Sequence, residues 1–249
     1  MRVYNSVMDG LPLSGRTALV TGGAVRLGRA IALGLAARGA DIALHYRSSE
    51  AAARETAEEI RRLGRKCMPI QADLLQTAAL EQILDAAKSL NGNITILVNS
   101  AAIFERGTLA ETTPELWEKT VAINLRAPLF LSRAFAAQTD SGDIVFLADA
   151  RVRRPAGEYL AYALTKSAVV SLTRGLAVSL APGIRVNAVA PGAILPPPGK
   201  GQAHVERLLP GIPLGRIGKP DDVVRAVQYL LEADFVTGQI LDVSGGAYL

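Results

Sequence analysis

Short apolar runs alternate with longer segments whose apolar positions recur every three or four residues, and the alternation continues from Thr17 nearly to the C-terminus. Uninterrupted apolar runs suit strands covered on both faces, whereas a period near 3.6 suits helices laid against such a sheet. Strands and helices in alternation build right-handed β-α-β units on a parallel sheet. The runs predict strands at Thr17 to Thr21, Asp41 to Tyr46, Lys66 to Ala72, Ile94 to Asn99, Asp143 to Ala148, Ile184 to Ala190 and Gln239 to Val243. These seven make one doubly wound parallel sheet with helices on both faces, an α/β fold.

The polar punctuation between the runs places the helices. Ser49 is expected to cap a helix ending at Leu63, with Gly64 as its break, and Thr113 to cap one whose first residue is Pro114. Pro220 opens another, where Asp221 and Asp222 suit the positive helix N-terminus. The stretch 193–218 carries Pro196, Pro197, Pro198, Pro210 and Pro213 and reads as an irregular loop with a short helix around Val205 to Leu209. A loop of this kind beside a sheet is the expected cover of a substrate. The helix Ala161 to Leu180 has Val169, Val170, Leu172, Leu176 and Val178 distributed around it, more apolar surface than one sheet buries, which predicts self-association.

Composition narrows the class. The 249 residues are read as a single domain, 1–249, with 1–14 as an N-terminal extension and 193–218 as the substrate loop. Apolar residues at 49% against 20% charged exclude disorder as the resting state. No apolar run approaches the roughly 20 residues that span a bilayer, and the start lacks a signal-peptide core, so a cytoplasmic protein without membrane partners is expected. The net charge of +4 is scattered, without the basic stripe of a nucleic-acid binder. Cys67 has no cysteine to pair with, and His45 and His204 belong to no ligand cluster, so no metal is expected.

Directly after the first run comes Thr21-Gly22-Gly23-Ala24-Val25-Arg26-Leu27-Gly28, opening a helix whose free N–H groups suit a pyrophosphate. Gly23 and Gly28 have P-loop spacing, but Arg29 and Ala30 stand where the lysine and hydroxyl belong, which excludes triphosphate chemistry of that kind. At the end of the second run an acid would bind a ribose 2′-hydroxyl, yet His45-Tyr46-Arg47-Ser48-Ser49 stands there. Arg47, with Arg26 and the serines, suits a 2′-phosphate, so NADP is expected rather than NAD.

Tyr162 and Lys166 fall on one face of a helix, about 6 Å apart along its axis. A phenol ionises near pKa about 10, and a neighbouring ammonium is expected to lower that value and make it a proton donor.

Taken together these residues resemble the short-chain dehydrogenase/reductase family from about Gly15 onward, through Thr21 to Gly28, Asp73-Leu74, Asn99 to Ala102, Asn124, Tyr162 with Lys166, and Pro191-Gly192. The resemblance implies a Rossmann-type fold, a homotetramer and a hydride transfer. It makes Tyr162 the proton donor, Lys166 the residue that tunes it and binds the nicotinamide ribose, and Asn124 the holder of a relay water. Asp73 is implied at the adenine, and the cofactor set becomes Gly22, Arg26, Leu27, Gly28, Tyr46, Arg47, Ser48, Asp73, Leu74, Asn99, Ala101, Tyr162, Lys166, Pro191 and Gly192. The family's usual serine is replaced by Asp149, thirteen residues before Tyr162. With the Arg26-Leu27-Gly28 loop, this is similar to the pteridine reductase and dihydromonapterin reductase branch, in which the acid assists the tyrosine in protonating a ring nitrogen. Phe104, Asp149 and Tyr162 are then the substrate residues, with Phe104 either stacking a pterin or simply packing. Ser100 and Ala102 depart from the branch's pattern and leave a carbonyl or 3-oxoacyl-thioester reductase, or a silent dinucleotide sensor, as alternatives. Arg151, Arg153 and Arg154 read as a solvated turn, with an acidic substrate tail as the other reading.

Overall fold

The computed structural model describes residues 11–154, 157–196 and 206–249. Its strands are β1 (Thr17–Val20), β2 (Asp41–Tyr46), β3 (Cys67–Gln71), β4 (Ile96–Asn99), β5 (Gly142–Leu147), β6 (Ile184–Pro191) and β7 (Ile240–Val243). They form one sheet in the order β3-β2-β1-β4-β5-β6-β7, every pairing parallel. The order reverses between β1 and β4, the doubly wound arrangement.

Helices α1 (Arg26–Ala37), α2 (Glu50–Arg62), α3 (Thr77–Lys88), α4 (Pro114–Val121), α5 (Ala127–Ala136), α6 (Leu160–Leu180) and α7 (Pro220–Glu232) connect the strands. Two apolar clusters result. One joins β1 and β2 to α1 and α7 through Ile31, Leu35, Val223 and Val227, and the other joins β4 and β5 to α3, α5 and α6 through Leu84, Leu131, Phe146 and Val169. Leu13 is fully buried in the first cluster and its N–H donates to the Arg38 carbonyl, so the part of the 1–14 extension that is described belongs to the core.

Helix ends follow their punctuation with one exception. Thr113 accepts the Leu116 N–H, Asp222 accepts the Lys219 N–H, and Gly64 turns the chain at φ +75. Ser49 precedes α2 as expected, but its side chain makes no capping bond. Within 193–218, residues 206–208 are helical and a 3₁₀ turn follows at Leu209–Gly211; Pro197, Pro198, His204 and Val205 lie outside the described residues. On α6, Leu164 and Val178 are exposed while Val169 and Ala177 are buried.

Candidate active site

At the carboxyl ends of the strands, where the order turns from β1 to β4, a crevice of about 700 Å³ opens. Its floor is tied together by two side chains. The Thr21 hydroxyl accepts the N–H groups of Ser100 and Ala101, both at 3.0 Å, which binds the loop after β4 to the end of β1. The His45 ring lies between the Gly22 N–H (Nδ1, 3.2 Å) and the Ala72 carbonyl (Nε2, 3.1 Å). A carbonyl only accepts, so Nε2 carries the hydrogen and Nδ1 accepts from Gly22. Sequence reasoning placed His45 beside the cofactor but missed this pin; a histidine one residue before the buried end of a central strand was the available signal.

Burial pushes His45 down to about 4, against its ordinary 6.5, despite the Ala72 bond and the Asp73 charge. The unfolded chain therefore binds a proton on this ring at a higher pH than the folded one does. Stability is complete above pH 6.5 and is lost as pH falls toward 4, by about 3 kcal/mol for a shift of this size. Urea unfolding of the wild type and His45→Gln from pH 7 to 4 is expected to show the two curves converging by about that amount. Parallel curves would contradict the assignment.

The glycine loop leads into α1 without a capping side chain and without an acid in the first turn, so the first N–H groups of the helix open toward the crevice. A Cβ at Gly28 would collide with the carbonyl of Gly22, and only glycine lets the first turn close onto the loop. Arg26, at φ +51, sends its guanidinium to the Pro196 carbonyl at 3.1 Å and so spans the crevice to the loop after β6. An uncapped helix N-terminus behind a loop with Gly22 and Gly23 fits a dinucleotide's pyrophosphate.

Leu27, Arg47, Asp73, Leu74, Ala101, Pro191 and Gly192 also line the crevice, whereas Tyr46, Ser48, Asn99 and Asn124 are not among its wall residues. Tyr46 points into the core, and Ser48 is exposed. Asn99 is buried, and neither polar atom of its side chain has a partner. Asp73 has one carboxylate oxygen engaged by the Leu75 N–H.

At the other end, the Tyr162 hydroxyl donates to Asp149 Oδ2 at 2.7 Å, and Asp149 Oδ1 accepts the Arg151 N–H at 2.8 Å. Lys166 is buried one turn along α6, its Nζ donating to the Leu147 carbonyl at 2.6 Å and lying 5.7 Å from the Tyr162 ring centroid. The expected acidification of the phenol does not hold in this geometry. Burial and the Asp149 carboxylate raise Tyr162 well above its ordinary value, because the anion touches the hydroxyl and the ammonium does not. Burial meanwhile lowers Lys166 to about 8. Tyr162 is thus a phenol held in its protonated form and directed at an acid.

Asn124 sits in a π-helical turn, Ala122–Arg126, between α4 and α5. Its side chain accepts the Ile103 N–H and donates to the Ile103 carbonyl and the Thr165 hydroxyl. One amide hydrogen and the amide oxygen thus brace the loop that carries Phe104, while the other hydrogen ties Asn124 to Thr165 of α6.

Phe104 stacks on Tyr159 with centroids 4.3 Å apart and an angle of 7°, and meets Tyr162 edge-on at 4.7 Å. Beside this pair lies the Arg151 guanidinium, which lines the crevice and is not the solvated turn residue expected from the sequence. Tyr159 was missed, and for Arg151 the solvated turn was favoured over the acidic-tail reading. Tyr159 precedes α6 by one residue, and nothing in the linear pattern joins it to Phe104. Among the described residues no group of three or more His, Cys, Asp or Glu gathers as a metal site would require.

This fold and this Tyr-Lys-Asp crevice define a class. Residues 23–248 match the family described as enoyl-(acyl carrier protein) reductase, and the chain belongs to the short-chain dehydrogenase/reductase family. An NADPH-dependent aldehyde reductase-like protein, chloroplastic, of Arabidopsis thaliana is 35% identical over 257 residues, covering 95% of this chain and 95% of that protein. A short-chain dehydrogenase from Burkholderia cenocepacia, solved with NADP, superposes with a TM-score of 0.91 at 36% identity over 96% of this chain and 100% of that one. FolM alternative dihydrofolate reductase 1 from Brucella suis, also with NADP, gives 0.90 at 33% identity over 95% and 96%.

Proposed function

We propose that the protein is an NADPH-dependent reductase of a pteridine or dihydropterin ring. The cofactor is NADP, and the chain is a short-chain oxidoreductase acting on a small molecule. The observation that carries the pterin reading is the 2.7 Å bond from Tyr162 to Asp149, a carboxylate where a carbonyl reductase of this class uses a serine. The likeness to the Brucella protein supports the same reading.

When bound, NADPH supplies the hydride that reduces a carbon of a C=N bond. The chain's own residues supply the rest. The uncapped start of α1 with Gly22 and Gly28 receives the pyrophosphate, and Arg47 the 2′-phosphate, while Lys166 is within the crevice to bind the nicotinamide ribose. Phe104 flanks the ring to be reduced. The Tyr162–Asp149 pair delivers one proton to the ring nitrogen, so that C=N becomes CH–NH, and recovers it from water through the carboxylate. Asn124 braces the Phe104 loop; a relay role falls to its backbone.

We read residues 1–249 as one domain that assembles as a homotetramer, with exposed Leu164 and Val178 of α6 contributing to the contacts, and that works in the cytoplasm without nucleic-acid partners. Among the described residues no helix is long and apolar enough to cross a membrane.

The test is NADPH oxidation with dihydropterin, quinonoid pterin and acetoacetyl thioesters. Turnover confined to the pterins supports the reading; turnover of the thioester alone makes the protein a carbonyl reductase, and binding of NADPH without any turnover makes it a sensor. Arg47→Ala is expected to weaken NADPH at least tenfold and NADH by less than twofold, measured by cofactor fluorescence. Equal losses would remove Arg47 from the extra phosphate.

A further inference from the structure

The turn after β5 carries three arginines with different engagements. Arg153 Nε reaches the Asp242 carboxylate at 2.5 Å, and Arg154 donates to the Leu249 carbonyl at 2.6 Å, so both hold the C-terminal segment. Arg151 turns into the crevice instead. Its guanidinium carbon lies 4.9 Å from the Phe104 ring centroid and 5.5 Å from that of Tyr159, with the Tyr248 hydroxyl within hydrogen-bonding reach.

This cation has ring and phenol neighbours but forms no ion pair with a carboxylate of the described residues. The Asp149 carboxylate is close enough to influence it, yet its two oxygens are given to the Arg151 backbone N–H and the Tyr162 hydroxyl. A guanidinium offers five N–H donors in a rigid fork, and one phenol oxygen leaves most of them unused. The aromatic pair holds the fork in place, which lowers the entropic cost of a bond to it. Among the described residues no other arginine stands on this wall of the crevice; Arg26 and Arg47 are at the cofactor end. The planar fork takes a carboxylate bidentately, and one guanidinium balances a carboxylate's single charge but not the two of a phosphate.

We propose that Arg151 is the anion-recognition residue of the substrate subsite, and that the substrate reduced here carries a carboxylate. The proposal rests on the reductase reading and names the chemical class of the substrate within it. Tyr248, the phenol beside this fork, directly precedes Leu249, whose carbonyl accepts from Arg154.

The experiment uses two scaffolds, each in a charged and an uncharged form. On the pterin scaffold these are 7,8-dihydrofolate and 7,8-dihydrobiopterin; on a carbonyl scaffold, 4-carboxybenzaldehyde and 4-formylbenzamide. For the wild type, kcat/KM is expected to favour the carboxylate member at least tenfold on whichever scaffold turns over. Arg151→Gln should bring that ratio to about one through a raised KM for the charged member, and Arg151→Lys should restore part of it. Calorimetric binding of folate to the NADP⁺-bound protein, which needs no turnover, is expected to weaken at least tenfold in Arg151→Gln. Folate binding that depends on Arg151 without NADPH oxidation on either scaffold would sink the reductase reading and leave standing only the anion-recognition role of Arg151. No preference for the charged member, no folate binding, or an equal fall in kcat for both members in Arg151→Gln, as expected if the residue acts only through Asp149, would overturn it.

Discussion

Replacing Tyr162 with phenylalanine is expected to lower turnover by about a thousandfold while leaving the NADPH dissociation constant within about threefold. The change removes one oxygen from a buried ring and keeps the edge-on contact with Phe104. What is lost is the proton that the ring holds toward Asp149. A thousandfold is about 4 kcal/mol of barrier, a size that belongs to a proton donor in the transition state and not to packing. Stopped-flow NADPH oxidation and fluorescence titration separate the two quantities. Retained turnover would assign the acid to another group, with Asp149 the only carboxyl in contact with this hydroxyl among the described residues.

The second large effect is expected from Gly28→Ala. The added Cβ would overlap the Gly22 carbonyl, and backbone on both sides leaves no flexible side chain to yield. Overpacking of this kind costs about 1–3 kcal/mol, and the relief available is a shift of the glycine loop away from α1. Because the Gly22 N–H is also held by His45, the shift breaks that pin and misaligns the uncapped helix start. NADPH binding should weaken by more than tenfold, with unfolding temperature lowered by only a few degrees. Unchanged NADPH affinity would mean that the loop does not cradle the phosphates.

The sheet was legible because its central strands are buried on both faces, so apolar runs mark them directly. Where the predicted ends miss, burial and ladder pairing have parted. Ile94 is buried in the core and reads as strand, yet β4 begins at Ile96, where the ladder to Ala18 starts. Lys66 likewise precedes β3, although its carbonyl accepts the Ile42 N–H. The π-helical turn at Ala122–Arg126 left no signal in the residue pattern; within it Asn124 reaches a loop distant in sequence.

In the site, Tyr162, Lys166 and Asp149 were legible because residue type and spacing along α6 and the end of β5 suffice. The direction of the Tyr162 shift was not. It depends on which charge touches the hydroxyl, and spacing alone gave Lys166 more influence than the Leu147 carbonyl leaves it. Arg151 was misjudged for a related reason. Sequence shows three arginines in a row with one intervening valine, and only the fold divides them between the C-terminal segment and the crevice.

Everything chemical here turns on a carboxylate keeping a phenol protonated until the ring accepts its hydrogen. The direct measurement is the pH dependence of single-turnover NADPH oxidation in the wild type and Asp149→Asn. Removing the anion should slow the step and move its alkaline limb to lower pH, because the phenol then ionises more readily. An unchanged rate with the limb in the same place would contradict the account.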